Sequence, residues 1–519
     1  MSKKRTLKDG SGSKVGSLVS GFLARLNVGN QQDSSARELM LEGEAQVRAS
    51  MRQLRKRLRK TSAGYGGGSV GRVGRNRSYR AKARALLKAY RKAFTANRRF
   101  DLEVELLDAK FHESPVLDGL LPTRRKNWKS PLQRSFSAFP KAIDLEKFTF
   151  IDNPVGTLQS FKAIALIEGQ ERTARLNFKD QFCDDAGAYL VLAEVWPHMT
   201  RIFQGGEMSV PVQRVLNATG VSEHNRMRTL ATENARDREQ RQKSSIWAYP
   251  LQRRRPAGSS SSMTQHLDQQ AREKAADRFS TWTNTCLGES AELELTQEGK
   301  ANIANIMGEV LCNAERHSRS DSDDGDWSVT AFMVRREAEG GEAYRCMIAF
   351  LSVGQSIAES LASAATDIRQ RESEYLARHW QSGRSPTTLS TVFAMQDTIT
   401  CDPAAREGRS GGTGLQDILD FVGVLGATDD MSAGPKVTIV SGKSCIQLKH
   451  PYIQGAREGG VGTKPRLLWF NPANSADLPP DEAFVFDLED HFAGTLVTIA
   501  FNLDAAFLRR QVETDDGSD

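Results

Sequence analysis

Residues 297–317 constrain the fold more than any other stretch of the chain. Ile303, Ile306, Met307, Val310, Leu311 and Ala314 recur at helical spacing. Glu309, Asn313 and His317 stand at i, i+4 and i+8 beside them, a spacing that aligns three side chains on one helix face. The pattern predicts a long helix with one buried face and a narrow polar seam along it. A polar seam against a core needs partners, which a neighbouring layer or a bound ligand supplies.

The flanking segments predict the layer that this helix lies on. A second helix is expected over 264–285. "DWSVTAFMV" (326–334) and "YRCMIAFLS" (344–352) read as paired strands. A long polar and helical insert follows (357–409), then "GGTGLQDILDFVGVLG" (411–426), a glycine turn opening a helix. "KVTIV" and "CIQLKH" read as a hairpin joined by "SGKS" (441–444), and "RLLWF", "AFVFDL" and "GTLVTIAFNL" as the strands that close the sheet. "SGKS" is not a phosphate-binding P-loop, because the upstream glycine that the motif requires is Val437.

Upstream, residues 101–255 read as a mixed α/β unit. "KFTFID" (147–152) and "TARLNF" (173–178) alternate like strands, while 156–170 and 184–203 have helical spacing. Residues 256–262 are a Ser-rich linker, and 506–519 an acidic tail. His224, in "SEHNRMRT", reads as an ordinary surface histidine rather than a phospho-acceptor.

Charge sets the N-terminus apart. Residues 1–100 hold 25 Lys and Arg against five acids, whereas the whole chain is only +7. "RQLRKRLRK" (52–60), a Gly-rich break (64–74) and a basic helix (79–94) make a partly disordered arm. Nucleic acid, bound without sequence preference, an acidic protein surface or anionic lipid would each suit it, and so would a role as a solvated tail. No apolar run approaches the ~20 residues of a membrane span, and no signal peptide is read. Six cysteines without a C-x-x-C pair fit a reducing cytosol better than a zinc ribbon or disulfide scaffold.

Four pieces occur in a telling order: E-x-x-x-N-A-x-x-H-S on the long helix, "LSVGQSIAESL" (351–361), "GRSGGTGL" (408–415) and "FAGTLVTIAF" (492–501). This series resembles the GHKL superfamily, the Bergerat-fold ATPase domains of gyrase, Hsp90, histidine kinases and MutL, over 263–505. The resemblance implies a two-layer α/β sandwich that binds ATP with Mg²⁺. It implies Glu309 as the base that polarises water, Asn313 as metal ligand, and His317 near the phosphates. Gly411, Gly412, Thr413, Gly414 and Leu415 would form the phosphate loop and helix start, and the stretch from Ala358 to Ser410 a mobile lid that often builds a dimer surface. Three phosphates do need free backbone N–H groups and a helix N-terminus, which such a loop offers. Residues 101–255 are similar to a smaller STAS-like domain, a family that binds regulatory partner proteins.

One departure concerns the base. The pattern D-x-G-x-G is here Ser352-Val353-Gly354-Gln355-Ser356, so a serine replaces the carboxylate that accepts the adenine amino group. Losing a charge-assisted bond costs about 1–2 kcal/mol, which puts adenine selectivity in question. Thr495, the other base-side position, is present.

The expected function is therefore a cytoplasmic signalling or regulatory protein, a slow Mg²⁺-dependent ATPase whose lid closure controls a partner. The alternatives are a non-catalytic interaction protein with a degenerate pocket and an anti-sigma-type serine kinase. For the arm, binding to nucleic acid should weaken with salt at a log–log slope of about −5 or steeper if six or more phosphates are contacted. A flat response in a filter-binding titration would assign the arm to a protein partner or to no partner.

Overall fold

The computed structural model describes residues 114–124, 141–169, 174–199, 206–222, 245–254, 270–318, 325–338, 341–396, 414–429, 433–453 and 466–516, with isolated positions between 41 and 133 and at 203, 230–232, 399 and 456–457. The chain divides into two compact units. The first comprises Met1–His112, Asn127–Pro140 and Gln170–Thr173. In it a short antiparallel pair joins β1 (Val104–Glu105) to β2 (Leu132–Gln133). The described positions from 84 to 92 are helical, as the basic segment 79–94 predicts. Arg91 and Arg48 pair with Glu44, and the Arg91 guanidinium holds that carboxyl below its usual range. The rest of the arm, and the linker at 256–262, lie outside the described residues.

The second unit begins with α1 (Pro115–Leu120) and a βαβα segment: β3 (Lys141–Leu145), α2 (Pro154–Gly169), β4 (Ala174–Phe178) and α3 (Ala186–Met199). β3 and β4 pair in parallel, Ile143 opposite Leu176. β5 (Glu207–Ser209), α4 (Val210–Ala218) and β6 (Leu230–Thr232) follow, β5 and β6 again parallel. The strand expected over 147–152 lies instead at 141–145. Lys147 takes a left-handed backbone, φ 49°, and the N–H groups of Lys147 and Phe148 donate to the Asp180 carboxylate rather than to a strand. The alternating "FTF" nevertheless points rings into a core, with Phe148 5.3 Å from Phe161 and 5.4 Å from Tyr189 between ring centres.

The larger part of this unit is a five-stranded antiparallel sheet. Its elements in chain order are β7 (Ile246–Arg254), α5 (Ala271–Ala291), α6 (Gln297–His317), β8 (Trp327–Ala338), β9 (Gly341–Ser352), α7 (Ile357–Leu361), α8 (Thr366–His379), α9 (Pro386–Ala394), α10 (Gly414–Leu425), β10 (Lys436–Leu448), the short pair β11 (Ala456–Arg457) and β12 (Arg466–Leu467), β13 (Val485–Leu503) and α11 (Ala505–Asp516). The strand order is β10-β13-β9-β8-β7. The middle stretch read as a unit of its own thus supplies the edge strand β7, and its α3 lies across β8, β9 and β13.

Period-two alternation divides each strand between two layers. On one face Val329, Ala331, Met333, Cys346, Ile348, Phe350, Ile439, Ile499 and Phe501 join buried residues of α5, α6 and α10 in one core. The other face meets α1 and α3. With both faces covered, the strands read as nearly continuous apolar runs.

Several expectations about the sheet change. "SGKS" is no hairpin turn: β10 runs straight through it and stays paired with β13 from Lys436↔Ala500 to Ile446↔Val485, with register shifts around Gly442. Gly442, at φ 59°, makes a bulge rather than a reversal. "AFVFDL" and "GTLVTIAFNL" are one strand, bent at Gly494. "RLLWF" pairs outside the main sheet and buries Leu468, Trp469 and Phe470. The insert after residue 357 is not a loose cover through its described part. α7, α8 and α9 bury Leu361, Ile368, Tyr375, Leu389, Val392 and Phe393 in the main core. Residues 400–413 lie outside the described residues. The expected acidic tail is helical to Asp516, buries Leu508, and donates from Arg509 Nε to Ala291 O at 2.7 Å. Among the described residues no helix is long and apolar enough to cross a membrane.

Asp185 ties the layers together. It is fully buried, and it accepts from the N–H groups of Phe150 (2.6 Å), Gly187 (2.6 Å) and Ala188 (3.3 Å) and from the Thr498 hydroxyl on β13. Burial pushes its carboxyl up, against the pull of these four donors. Removing the acceptor strands buried donors, so Asp185→Ala should cost on the order of 3–5 kcal/mol in denaturant unfolding. Thr498→Val removes one donor and should cost about 1 kcal/mol.

Candidate functional site

The start and end of α6 are fixed by ordinary rules. Thr296 caps its N-terminus, its hydroxyl accepting from Gly299 N–H at 3.0 Å. At the other end the Ser318 carbonyl accepts from Gln355 N–H at 3.0 Å. That contact brings the turn after β9 hard against the helix. A Cβ at Gly354, where φ is 142°, would fall 2.0 Å from the Ser318 oxygen. The glycine is therefore required by backbone packing. Asp326 Oδ1 takes the Val353 N–H at 3.1 Å and pins the turn from the other side.

Gly494 plays the matching part on β13. Its φ is 117°, and a Cβ there would lie 2.1 Å from the Ser352 carbonyl oxygen. The close approach sets the register Thr495↔Ser352 on one side of β13 and Thr495↔Ser441 on the other. Three hydroxyl residues thus stand in a row across β10, β13 and β9, all on the face that carries Ile439, Val497 and Phe350. Ser441 Oγ and Thr495 Oγ1 are 2.8 Å apart. Ser441 is fully buried and also accepts from Ile357 N–H, the first residue of α7, at 2.8 Å.

Ser352 and Thr495 of this row edge a cavity of about 230 Å³. α6 contributes Val310, Leu311, Asn313 and Ala314; the strands contribute Trp327, Phe350, Ser352, Ile439, Thr495 and Val497; Ile357 and Leu361 of α7, Met395, Ile399 and Ile418 close it. The walls are apolar with a few polar groups, as in small-molecule sites, but the volume is just below the ~300 Å³ at which such pockets begin. It suits one ring system, with the rest of a larger ligand outside. Among the described residues no charged side chain lines it. The side chains of Asn313, Ser352 and Gln355 make no hydrogen bond to a described residue.

The expected site residues are placed as follows. Asn313, Ser352, Ser356 and Thr495 line the cavity. Ser356 is also the N-cap of α7, in a reciprocal box with Glu359: Ser356 N–H and Oγ both donate to Glu359 Oε2, at 2.7 and 2.9 Å. Gly354 shapes the turn without lining the cavity. Glu309 is exposed on α6, one turn before Asn313, and outside the lining. Gly411, Gly412 and Thr413 lie outside the described residues. Gly414 opens α10 and Leu415 follows it; His317 is the last residue of α6. The side chains of Leu415 and His317 also lie outside the described residues.

Ser441, Gln355 and Glu315 were not singled out from sequence. Ser441 sat in a presumed turn, and its strand alternation with Val437 and Ile439 was the usable signal. Glu315 accepts from Trp327 Nε1 at 2.8 Å and from Arg272 Nη1 at 3.0 Å, with Arg254 at 3.5 Å. It thereby orients the indole that forms one cavity wall. Among the described residues there is no cluster of three or more His, Cys, Asp or Glu to hold a metal. Comparison with protein-family models, curated proteins and solved structures returns no match.

Two glycines separate a required close approach from an ordinary helix position. Gly494→Ala should cost more than about 2 kcal/mol, because both φ and the Ser352 carbonyl oppose a side chain. Gly308→Ala, on α6 with open space around its Cβ position, should stabilise by about 0.5–1 kcal/mol. Urea unfolding of both variants reads the contrast.

Proposed function

We propose that the second unit is a GHKL-type ATP-binding module, a slow Mg²⁺-dependent ATPase that acts as a regulatory switch. One observation carries the reading: Asn313, Ser352 and Thr495, which belong to three boxes far apart in sequence, converge on one cavity. The helical layer of α5, α6 and α10 on one face of the sheet supports it further, although α1 and α3 cover the other face, where the resemblance implies only two layers. The apolar walls would sandwich the base, and the hydroxyl row would meet its polar edge. The triphosphate would leave the cavity toward the N-terminus of α10.

The residues present fit a magnesium ion held mainly by the nucleotide. Asn313 offers a neutral oxygen, unclaimed by described residues, and phosphate and water would supply the remaining ligands. Bound Mg²⁺ would offset phosphate charge. Glu309, exposed one turn away, would hold the attacking water. The βαβα segment behind the sheet supports a STAS-like role in meeting a partner protein, reached through β13, which carries Thr495 toward the cavity and Thr498 toward Asp185.

A second reading is favoured by Glu309 lying outside the cavity lining: nucleotide binding without turnover. Calorimetry with ATP and Mg²⁺, together with phosphate release, separates the two. We expect micromolar to submillimolar binding, slow turnover abolished by Glu309→Ala with binding intact, and binding weakened about tenfold or more by Asn313→Ala. No heat up to millimolar nucleotide would remove the proposal; binding without release of phosphate would leave only the second reading.

A further inference from the structure

Resting on the nucleotide reading, we propose that this pocket accepts adenine and guanine nucleoside triphosphates alike. The inference comes from the hydrogen-bond polarity of the groups at its edge. Adenine and guanine share the purine ring system but oppose each other at position 6, where adenine carries an amino donor and guanine a carbonyl acceptor. A site separates them at that position only if it presents a group of fixed polarity there. Among the described residues no charged side chain lines this cavity, so no side-chain carboxylate there is committed to accepting alone.

The hydroxyl row is reversible by construction. Ser441 Oγ is held as an acceptor by Ile357 N–H at 2.8 Å. Its own proton has two destinations, Thr495 Oγ1 at 2.8 Å and the Gly494 carbonyl at 3.4 Å. When Ser441 donates to Thr495, the Thr495 proton is released toward the cavity. When Thr495 donates to Ser441, the Ser441 proton turns to Gly494, and the Thr495 lone pairs face the cavity as acceptors. Ser352 lies directly opposite Thr495 in the ladder, and its hydroxyl, without a hydrogen-bond partner among the described residues, rotates to suit either group. The Gln355 carboxamide, also in the lining, offers both a donor and an acceptor.

A carboxylate at position 352 would remove this freedom, since an ionised acid only accepts. Calorimetric titration of the full chain with Mg²⁺–ATP and Mg²⁺–GTP, in the wild type and in Ser352→Asp, tests the proposal. The wild type should bind the two nucleotides within about fivefold of each other, and Ser352→Asp should shift the ratio toward ATP by about tenfold or more. Thr495→Val, which keeps the shape and removes the reversible hydroxyl, should weaken both nucleotides by a similar factor of about 3–10. Circular dichroism establishes that each variant is folded. A wild-type preference for ATP beyond about 30-fold would overturn base tolerance while leaving the nucleotide site standing. An unchanged ratio in folded Ser352→Asp, or unequal losses in folded Thr495→Val, would likewise overturn it. Absence of binding by either nucleotide would remove the site and this inference together.

Discussion

β13 is the strand on which the site and the far layer both depend. It pairs with β10 and β9 at once, and side-chain alternation sends its residues to opposite sides. Thr495 and Val497 face the cavity layer, while Thr498 reaches the buried Asp185. A slip of one residue would exchange these faces, placing Thr498 in the apolar core and leaving Asp185 without its hydroxyl. Gly494 guards against that slip, since only a residue without Cβ passes the Ser352 carbonyl at the bend. The register that assembles the hydroxyl row is therefore the same one that joins the sheet to α3.

How much of this was readable in the sequence follows from the range of the signals. α6 was legible because its apolar period is local, and the structure gives the same span, Gln297–His317. The β8–β9 hairpin was legible for the same reason. "SGKS" failed because glycine beside lysine and serine has the composition of a turn. What keeps the strand straight is β13, more than forty residues away in sequence, whose pairing continues on both sides of the bulge. "FTF" failed because the competing partner, the Asp180 carboxylate, lies in the following strand-to-helix loop. In both cases a non-local partner overrode local pattern.

The site was legible in a similar, partial way. Asn313 and Thr495 were found because a helix seam and a Gly-Thr strand are local features, and both line the cavity. Gly354 was expected at the ligand, yet its demand comes from the Ser318 carbonyl, a contact that no local pattern encodes. Ser356 was read as a missing glycine, and its hydroxyl is occupied in capping α7. Ser441 was missed because its role exists only through pairing with Thr495. Polar residues whose partners lie on other strands carry no signature of their own.

The insert between β9 and α10 bears on how any ligand enters. Its described helices are not free to swing as a whole, for α9 is held to β10 and β13 by a set of hydroxyls. Ser385 N–H donates to Asp487 Oδ2 at 2.8 Å, Thr388 Oγ1 bonds Asp487 and Ser444, and Thr391 meets Ser444 at 3.0 Å. Ser444 is fully buried at the bulge of β10, so moving α9 would expose several hydroxyls and break the core around Leu389 and Val392. Only the end of that helix, at Met395, and Ile399 beyond it reach the cavity. The bulge that defeated the hairpin reading thus also fixes α9, whose C-terminal neighbour Met395 forms part of the cavity wall.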